Sequence, residues 1–151
     1  MAGFFISGAK RLKEAGVDAV ELHGAHGYLI GQFLSPYTNL RTDEYGGNFE
    51  NRMRFLDEII DGIRKECGED YPIIVRYSVD EHMDYAGHPE CGLHLQDGVE
   101  IAKHLEAKGV DALDVSAGIY ETMNVAWEPV GFDQGWKMEG PEAVKKAVQI
   151  L

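Results

Sequence analysis

An eleven-residue pattern occurs twice in this chain. Leu12-Lys13-Glu14-Ala15-Gly16-Val17-Asp18-Ala19-Val20-Glu21-Leu22 returns as Leu105-Glu106-Ala107-Lys108-Gly109-Val110-Asp111-Ala112-Leu113-Asp114-Val115, with five identical positions and three exchanges between similar residues. Each copy reads as the last turn of a helix, a glycine in the left-handed position that closes it, and an apolar run of strand length. A third unit lies between them. Asn48 is placed to cap a helix whose apolar stripe is Met53, Leu56, Ile59, Ile60 and Ile63. Gly68 ends that helix, and Ile73-Ile74-Val75 begins the next strand. A further helix fits His94 to Lys108, with Leu95, Val99, Ala102 and Leu105 on one side. The expected order is helix, strand, helix, strand, helix, strand, a long loop, and a short helix from about Pro141. Alternation of this kind builds a parallel α/β sheet.

An open doubly wound sheet and a (β/α)8 barrel are the two ways to close such a chain. Strand residues alternate sides, so Glu21/His23, Ile74/Arg76/Ser78 and Asp114/Ser116 share one face, and Val20/Leu22, Ile73/Val75 and Leu113/Val115 the other. The apolar face suits helix packing. The charged face suits a barrel lumen, in which Arg76 is expected between Glu21 and Asp114 as a structural ion network. A whole barrel takes eight strands and usually about 250 residues; three strands are legible here. The expected fold is therefore a partial TIM barrel, with residues 1–151 as one partial domain and the first and last strands outside it. Standing alone, it exposes strand edges and apolar surface.

Composition narrows the partners. The net charge of −12 disfavours nucleic acid and anionic lipid, and no basic patch offsets it. No apolar run reaches the roughly 20 residues of a membrane span, and the first ten residues lack signal-peptide features. Cys67 and Cys91 have no pairing pattern around them, which fits a reducing, cytoplasmic setting.

Barrel chemistry sits at the C-terminal ends of the strands. There the chain carries His23-Gly24-Ala25-His26-Gly27-Tyr28, then Arg76-Tyr77-Ser78, then Ser116-Ala117-Gly118. Taken singly, each residue has a plain structural reading. Either histidine can serve a backbone carbonyl, Tyr28 can be a core aromatic with a wet hydroxyl, and Arg76 can belong to the ion network.

The run from Val20 to Arg54, with the later strands Ile73–Ser78 and Gly109–Gly118, resembles the Old Yellow Enzyme family of NADH:flavin oxidoreductases, 2,4-dienoyl-CoA reductases and 2-enoate reductases. The resemblance covers nearly the whole chain. It implies a flavin-dependent ene-reductase that uses FMN, with NADH or NADPH as electron donor and a small unsaturated carbonyl compound as substrate. It implies that His23 and His26 donate hydrogen bonds to the substrate carbonyl, where negative charge builds. Tyr28 then delivers a proton to Cα, and Arg76 lies at the pyrimidine edge of FMN. The family's first strands and its phosphate loop near the seventh and eighth strands are not in this sequence. The stretch alone is therefore expected to bind FMN weakly and to lack activity.

Two other readings are carried forward. One is a metal-dependent barrel hydrolase or lyase, with His23 and His26 as ligands and Glu21 or Asp114 as the carboxylate. The other is a non-catalytic half-barrel that associates with itself through its exposed edges. The polar segment from Asp80 to His94 holds metal-ligand residue types at spacings that match no metal motif, and is read as a loop over the substrate. Arg41, Asp43, Arg52 and Arg54 are expected to pin the Ser35–Arg54 stretch to the following helix.

Overall fold

A computed structural model describes residues 1–150. Helix α1 (Ala2–Glu14) leads into β1 (Val20–Gly24), followed by α2 (Leu29–Leu34), α3 (Phe49–Cys67) and β2 (Ile73–Ser78). Then come α4 (Leu95–Ala107), β3 (Ala112–Ser116), the short α5 (Met123–Ala126) and α6 (Glu139–Ala147). The three strands form one parallel sheet in the order β1-β2-β3. This is part of a (β/α) barrel wall, with helices on one face. Among the described residues, no helix is long and apolar enough to cross a membrane.

The repeated pattern folds the same way twice. The residues ending the two helices have nearly the same backbone, with φ/ψ of −79/−2 at Ala15 and −79/−3 at Lys108. Gly16 and Gly109 follow at φ 85 and 79, where a side chain is strained. Val17 N donates to Leu12 O at 3.0 Å and Val110 N to Leu105 O at 3.1 Å, the six-residue closure of a Schellman motif. Burial differs between the copies. Leu105 and Val110 are 0% and 2% exposed, whereas Leu12 and Val17 are 46% and 42% exposed. The second copy lies beneath neighbouring units, and the first is at the end of the array.

The α3 stripe behaves as its spacing predicts, with Met53, Leu56, Ile59, Ile60 and Ile63 buried against Val20, Leu22, Ile73 and Val75. Asn48 caps the helix by accepting from Asn51 N at 2.9 Å. On α4 the buried line is Gly98, Ile101, Ala102 and Leu105, while Leu95 and Val99 are half-buried. Gly98 lies so close to β2 that a Cβ there would stand 2.1 Å from Val79 O. Helix α2, absent from the sequence reading, spans only six residues and carries no full apolar period. Helix α6 starts at Glu139, two residues before the expected proline.

Two of the four expected pins, Arg52 and Arg54, tie the loop to the helix, whereas Arg41 and Asp43 pair with each other within the loop. Arg52 donates from Nε to Leu34 O and from a terminal nitrogen to Gly47 O, and Arg54 Nε donates to Glu44 O. At the other end of the sheet, Arg64 of α3 clamps two strand entries. Its guanidinium donates to Glu69 O, Tyr71 O, Gly109 O and the Asp111 carboxylate. The same Asp111 oxygen accepts from Ile73 N at 2.8 Å. Burial pushes the Asp111 carboxyl up, but the Ile73 N–H and Arg64 outweigh it and hold it below its ordinary value.

The Asp80–His94 segment is built around its acids. Asp80 accepts from His82 N and from Leu95 N at the start of α4. Glu81, 2% exposed, accepts from Ser35 Oγ at 2.8 Å and Leu93 N at 2.9 Å, while its backbone carbonyl accepts from Thr122 Oγ1. One side chain thus joins the end of α2 to both arms of this loop. Burial pushes the Glu81 carboxyl up to about 7, against the lowering pull of Leu93 N–H and Ser35.

Two predictions follow from these contacts. Arg64→Ala removes the donor shared by four acceptors and is expected to cost about 2–4 kcal/mol in urea unfolding; a loss below about 1 kcal/mol would show that water replaces the clamp. Glu81 keeps its proton in the folded chain at pH values where the unfolded chain has released it. Its contribution to stability therefore falls as pH rises from about 4.5 to about 7. Between those limits wild type should lose on the order of 3 kcal/mol more than Glu81→Gln. Parallel urea-midpoint profiles across pH would refute that assignment.

Candidate active site

The strand register decides which side chains meet at the C-terminal rim. His23 pairs with Arg76, and Arg76 with Asp114, so the three lie side by side on the face away from the helices. Asp114 Oδ2 stands 3.3 Å from Arg76 Nε. Glu21 is in register with Ile74 and exposed to solvent, and it forms no ion pair among the described residues. The expected two-sided network around Arg76 is thus one-sided. The reason is geometric: alternation leaves Glu21 on the inner face, but the register sets it one inward step below the guanidinium.

After β1 the chain turns through two left-handed residues, His26 at φ 60 and Gly27 at φ 76. Left-handed backbone is strained for a histidine, and side-chain contacts hold it. His26 N donates to Ser78 Oγ at 3.1 Å, and Ser78 Oγ donates to Gly118 O at 2.7 Å. The His26 ring is fixed through Nε2, 2.7 Å from Ser116 Oγ. His26 is 8% exposed. Burial first, then the positive charges of Arg76 and Lys137, hold its pKa below the ordinary value. It is therefore a neutral imidazole near pH 7.

His23 is half-buried and makes no side-chain hydrogen bond among the described residues. Its ring centroid lies 5.3 Å from that of His26 and 5.1 Å from that of Tyr28. Tyr28, at the N-cap of α2, is 47% exposed and meets the Tyr120 ring edge to face at 5.6 Å. All four side chains singled out in the sequence therefore gather at one rim. Ser78, Ser116 and Tyr120 join them. Both serines were legible as inward strand positions, but nothing in their spacing marked them as braces for His26. Tyr120 follows a strand as an isolated aromatic in a loop, and carried no signal.

Arg76 Nε is buried and has no hydrogen-bond partner, because its approach to Asp114 does not meet hydrogen-bond geometry. A buried N–H left unserved is costly, so the site fits a ligand that brings an acceptor, such as a flavin pyrimidine edge. Beside it opens a cavity of about 430 Å³ whose walls include Arg76, Asp80, His82, Ser116, Trp136 and Lys137. Aromatic contacts close over this region, with Trp136 lying 4.6 Å from Phe132 and 5.5 Å from His82 between ring centroids. The Asp80–His94 loop thus meets the segment before α6 at the rim. Among the described residues, no group of three or more His, Cys, Asp and Glu side chains is placed to hold a metal ion. The two histidines do not gather the carboxylate that the hydrolase reading requires.

Known proteins share this arrangement of chain. Residues 3–136 match the model of the NADH:flavin oxidoreductase / NADH oxidase family. The NADH oxidase of Thermoanaerobacter brockii is 54% identical over 146 residues, which cover 97% of this chain and 22% of that protein. The cinnamate reductase of Clostridium sporogenes is 39% identical over 155 residues, covering 97% of this chain and 23% of that protein. The solved Old Yellow Enzyme homologue from Zymomonas mobilis superposes with a TM-score of 0.71 at 28% identity, covering 99% of this chain and 39% of that one. The chain spans between about a fifth and two fifths of the length of these relatives. A rim of imidazoles, phenol and guanidinium on a parallel partial barrel, together with a family match over most of its length, gives one conclusion: the chain belongs to the NADH:flavin oxidoreductase / NADH oxidase family.

Proposed function

We propose that the protein is an FMN-dependent oxidoreductase that reduces the activated C=C bond of an α,β-unsaturated carbonyl compound at the expense of NADH or NADPH. The carrying observation is the convergence of His23, His26 and Tyr28 beside a guanidinium with an unserved buried donor. The name of the cinnamate reductase relative supports an unsaturated acyl substrate. FMN, when bound, supplies the hydride.

The roles follow from what each group can donate. Arg76 offers Nε–H and a positive charge to an anionic pyrimidine edge. His26 is neutral, so one ring nitrogen carries a proton. If Ser116 donates to Nε2, the proton sits on Nδ1, which is then the donor for the substrate oxygen. His23, unengaged by the protein, is the second donor. Two donors aimed at an oxygen that gains charge stabilise the transition state rather than the substrate. Tyr28, beside His23, gives its proton to Cα, and solvent access at that phenol allows the proton to be replaced. The free cysteines Cys67 and Cys91 suit a reducing cytoplasm. The residues present include no glycine-rich phosphate cradle, so this stretch alone should hold FMN weakly; a flavin absorbance band near one equivalent would contradict that.

Stopped-flow spectroscopy on a complete, flavin-loaded barrel that contains this stretch separates the two half-reactions. Tyr28→Phe should leave flavin reduction by nicotinamide near wild type and slow alkene reduction roughly 100-fold, the scale of a lost general acid. Equal slowing of both would remove Tyr28 from the proton-donor role. His23→Ala should weaken binding of a phenolic ligand, read from the flavin absorbance shift, by roughly 10-fold or more, since a hydrogen bond to a charged oxygen is lost. Unchanged affinity would count against the donor pair.

A further inference from the structure

The His26 ring has one protein partner and one open end. Nε2 stands 2.7 Å from Ser116 Oγ. Nδ1 makes no hydrogen bond among the described residues, and it is not one of the buried side-chain atoms left without a partner, so it faces space that a ligand can reach. The contact at Nε2 has two chemical readings. Either the Ser116 hydroxyl donates to a bare Nε2, or Nε2–H donates to the serine oxygen. These place the ring proton at opposite ends, and only the first leaves a donor at the open nitrogen.

The surrounding groups favour that first direction. Ser116 closes β3 in register with Ser78. Ser78 is engaged both ways, since its oxygen accepts from His26 N at 3.1 Å and its hydrogen goes to Gly118 O at 2.7 Å. The Ser116 carbonyl accepts from Val79 N at 2.9 Å. Among the described residues, the Ser116 hydroxyl has no acceptor other than His26 Nε2. Were Nε2 to carry the proton, that hydroxyl hydrogen would go unserved in a half-buried position, and Nδ1 would turn a lone pair toward the substrate oxygen. With the proton on Nδ1, the serine hydrogen, Nε2 and the open nitrogen each meet a complementary group. The ring has little freedom to avoid the choice, because His26 is 8% exposed and its backbone is left-handed at φ 60.

We propose that Ser116 is a positioning residue: its hydroxyl donates to His26 Nε2, holds the ring in the Nδ1–H tautomer, and so keeps a donor available to the substrate oxygen. The inference rests on the ene-reduction reading above. No proton leaves Ser116 or His26 in this role. The ring stays neutral, and its Nδ1–H bond strengthens as the substrate oxygen gains charge. Ser116→Ala removes the lock. The proton is then free to move to Nε2, the nitrogen that carries it in most free histidine side chains, and Nδ1 becomes an acceptor facing an acceptor.

The test uses a complete, flavin-loaded barrel that contains this stretch, with isotope-labelled histidine nitrogens, at about pH 8, where even an unperturbed histidine is neutral. Nitrogen NMR distinguishes a protonated ring nitrogen from a bare one, and His26→Gln identifies the signals by their loss. In wild type, Nδ1 should carry the proton. In Ser116→Ala the Nε2–H form should appear, and affinity for a phenolic ligand should fall roughly 10-fold, the scale of one lost hydrogen bond to a charged oxygen. Ser116→Thr keeps the hydroxyl and should return the spectrum to the Nδ1–H form, which a mere packing role does not predict. A wild-type ring with its proton on Nε2 overturns the inference without requiring any variant to fold. An unchanged tautomer in Ser116→Ala also overturns it, as does a changed tautomer with unchanged ligand affinity. A wild-type barrel that reduces no unsaturated carbonyl overturns the ene-reduction reading instead, and the spectrum still reports on the serine–histidine bond.

Discussion

The parallel register of the three strands is the constraint on which the site rests. It sets His23 against Arg76 and Arg76 against Asp114, and every other rim contact is arranged around that row. The register is held from the opposite face of the sheet. There Val20, Leu22, Ile73 and Val75 are buried beneath the apolar stripe of α3. A slip of one residue would carry that row into the lumen and send the charged row into the helices. Burying Arg76 among helix side chains without a partner would cost several kcal/mol. Apolar packing on one side of the sheet thus fixes the polar geometry on the other.

The two ends of the sheet are held by different means. At the strand entries Arg64 serves three carbonyls and Asp111, a set of contacts that stiffens the wall and has no link to the rim. At the strand exits the loops hold one another through small polar groups. Ser78 and Ser116 brace His26 in its left-handed position, and Glu81 joins Ser35 to Leu93 while its carbonyl accepts from Thr122. In the Asp80–His94 segment, which holds metal-ligand residue types, the Asp80 and Glu81 carboxylates are spent on internal contacts. The buried Glu81 carboxyl remains close to its titration point at neutral pH, so the rim rests on a group whose charge is sensitive to burial.

Charge is distributed with similar economy. The chain as a whole is acidic, at −12, yet Arg76 and Lys137 both act on His26 as positive neighbours. A local cationic field in an anionic protein favours a ligand that carries or develops negative charge. It also keeps the buried imidazole neutral, the state in which it has both a donor and an acceptor nitrogen. Arg76 is held by Asp114 through charge but left with an unserved N–H, so it is positioned and still available.

By itself the sequence determined the elements and their faces. The repeated helix–glycine–strand pattern predicted the turns at Gly16 and Gly109, the period of Met53 to Ile63 predicted the core side of α3, and strand alternation put Arg76 and Asp114 on the same side. These are local properties, since capping, helical period and strand alternation each act within a few residues. The motif at His23, His26 and Tyr28 was legible for the same reason, its members being six positions apart or fewer. Tertiary structure alone decided which residues meet. It placed His23 rather than Glu21 beside Arg76, brought Ser116 to His26, buried Glu81, and laid Tyr120 against Tyr28. Those contacts join segments far apart in the chain, and they depend on strand register and loop closure, which no local pattern encodes.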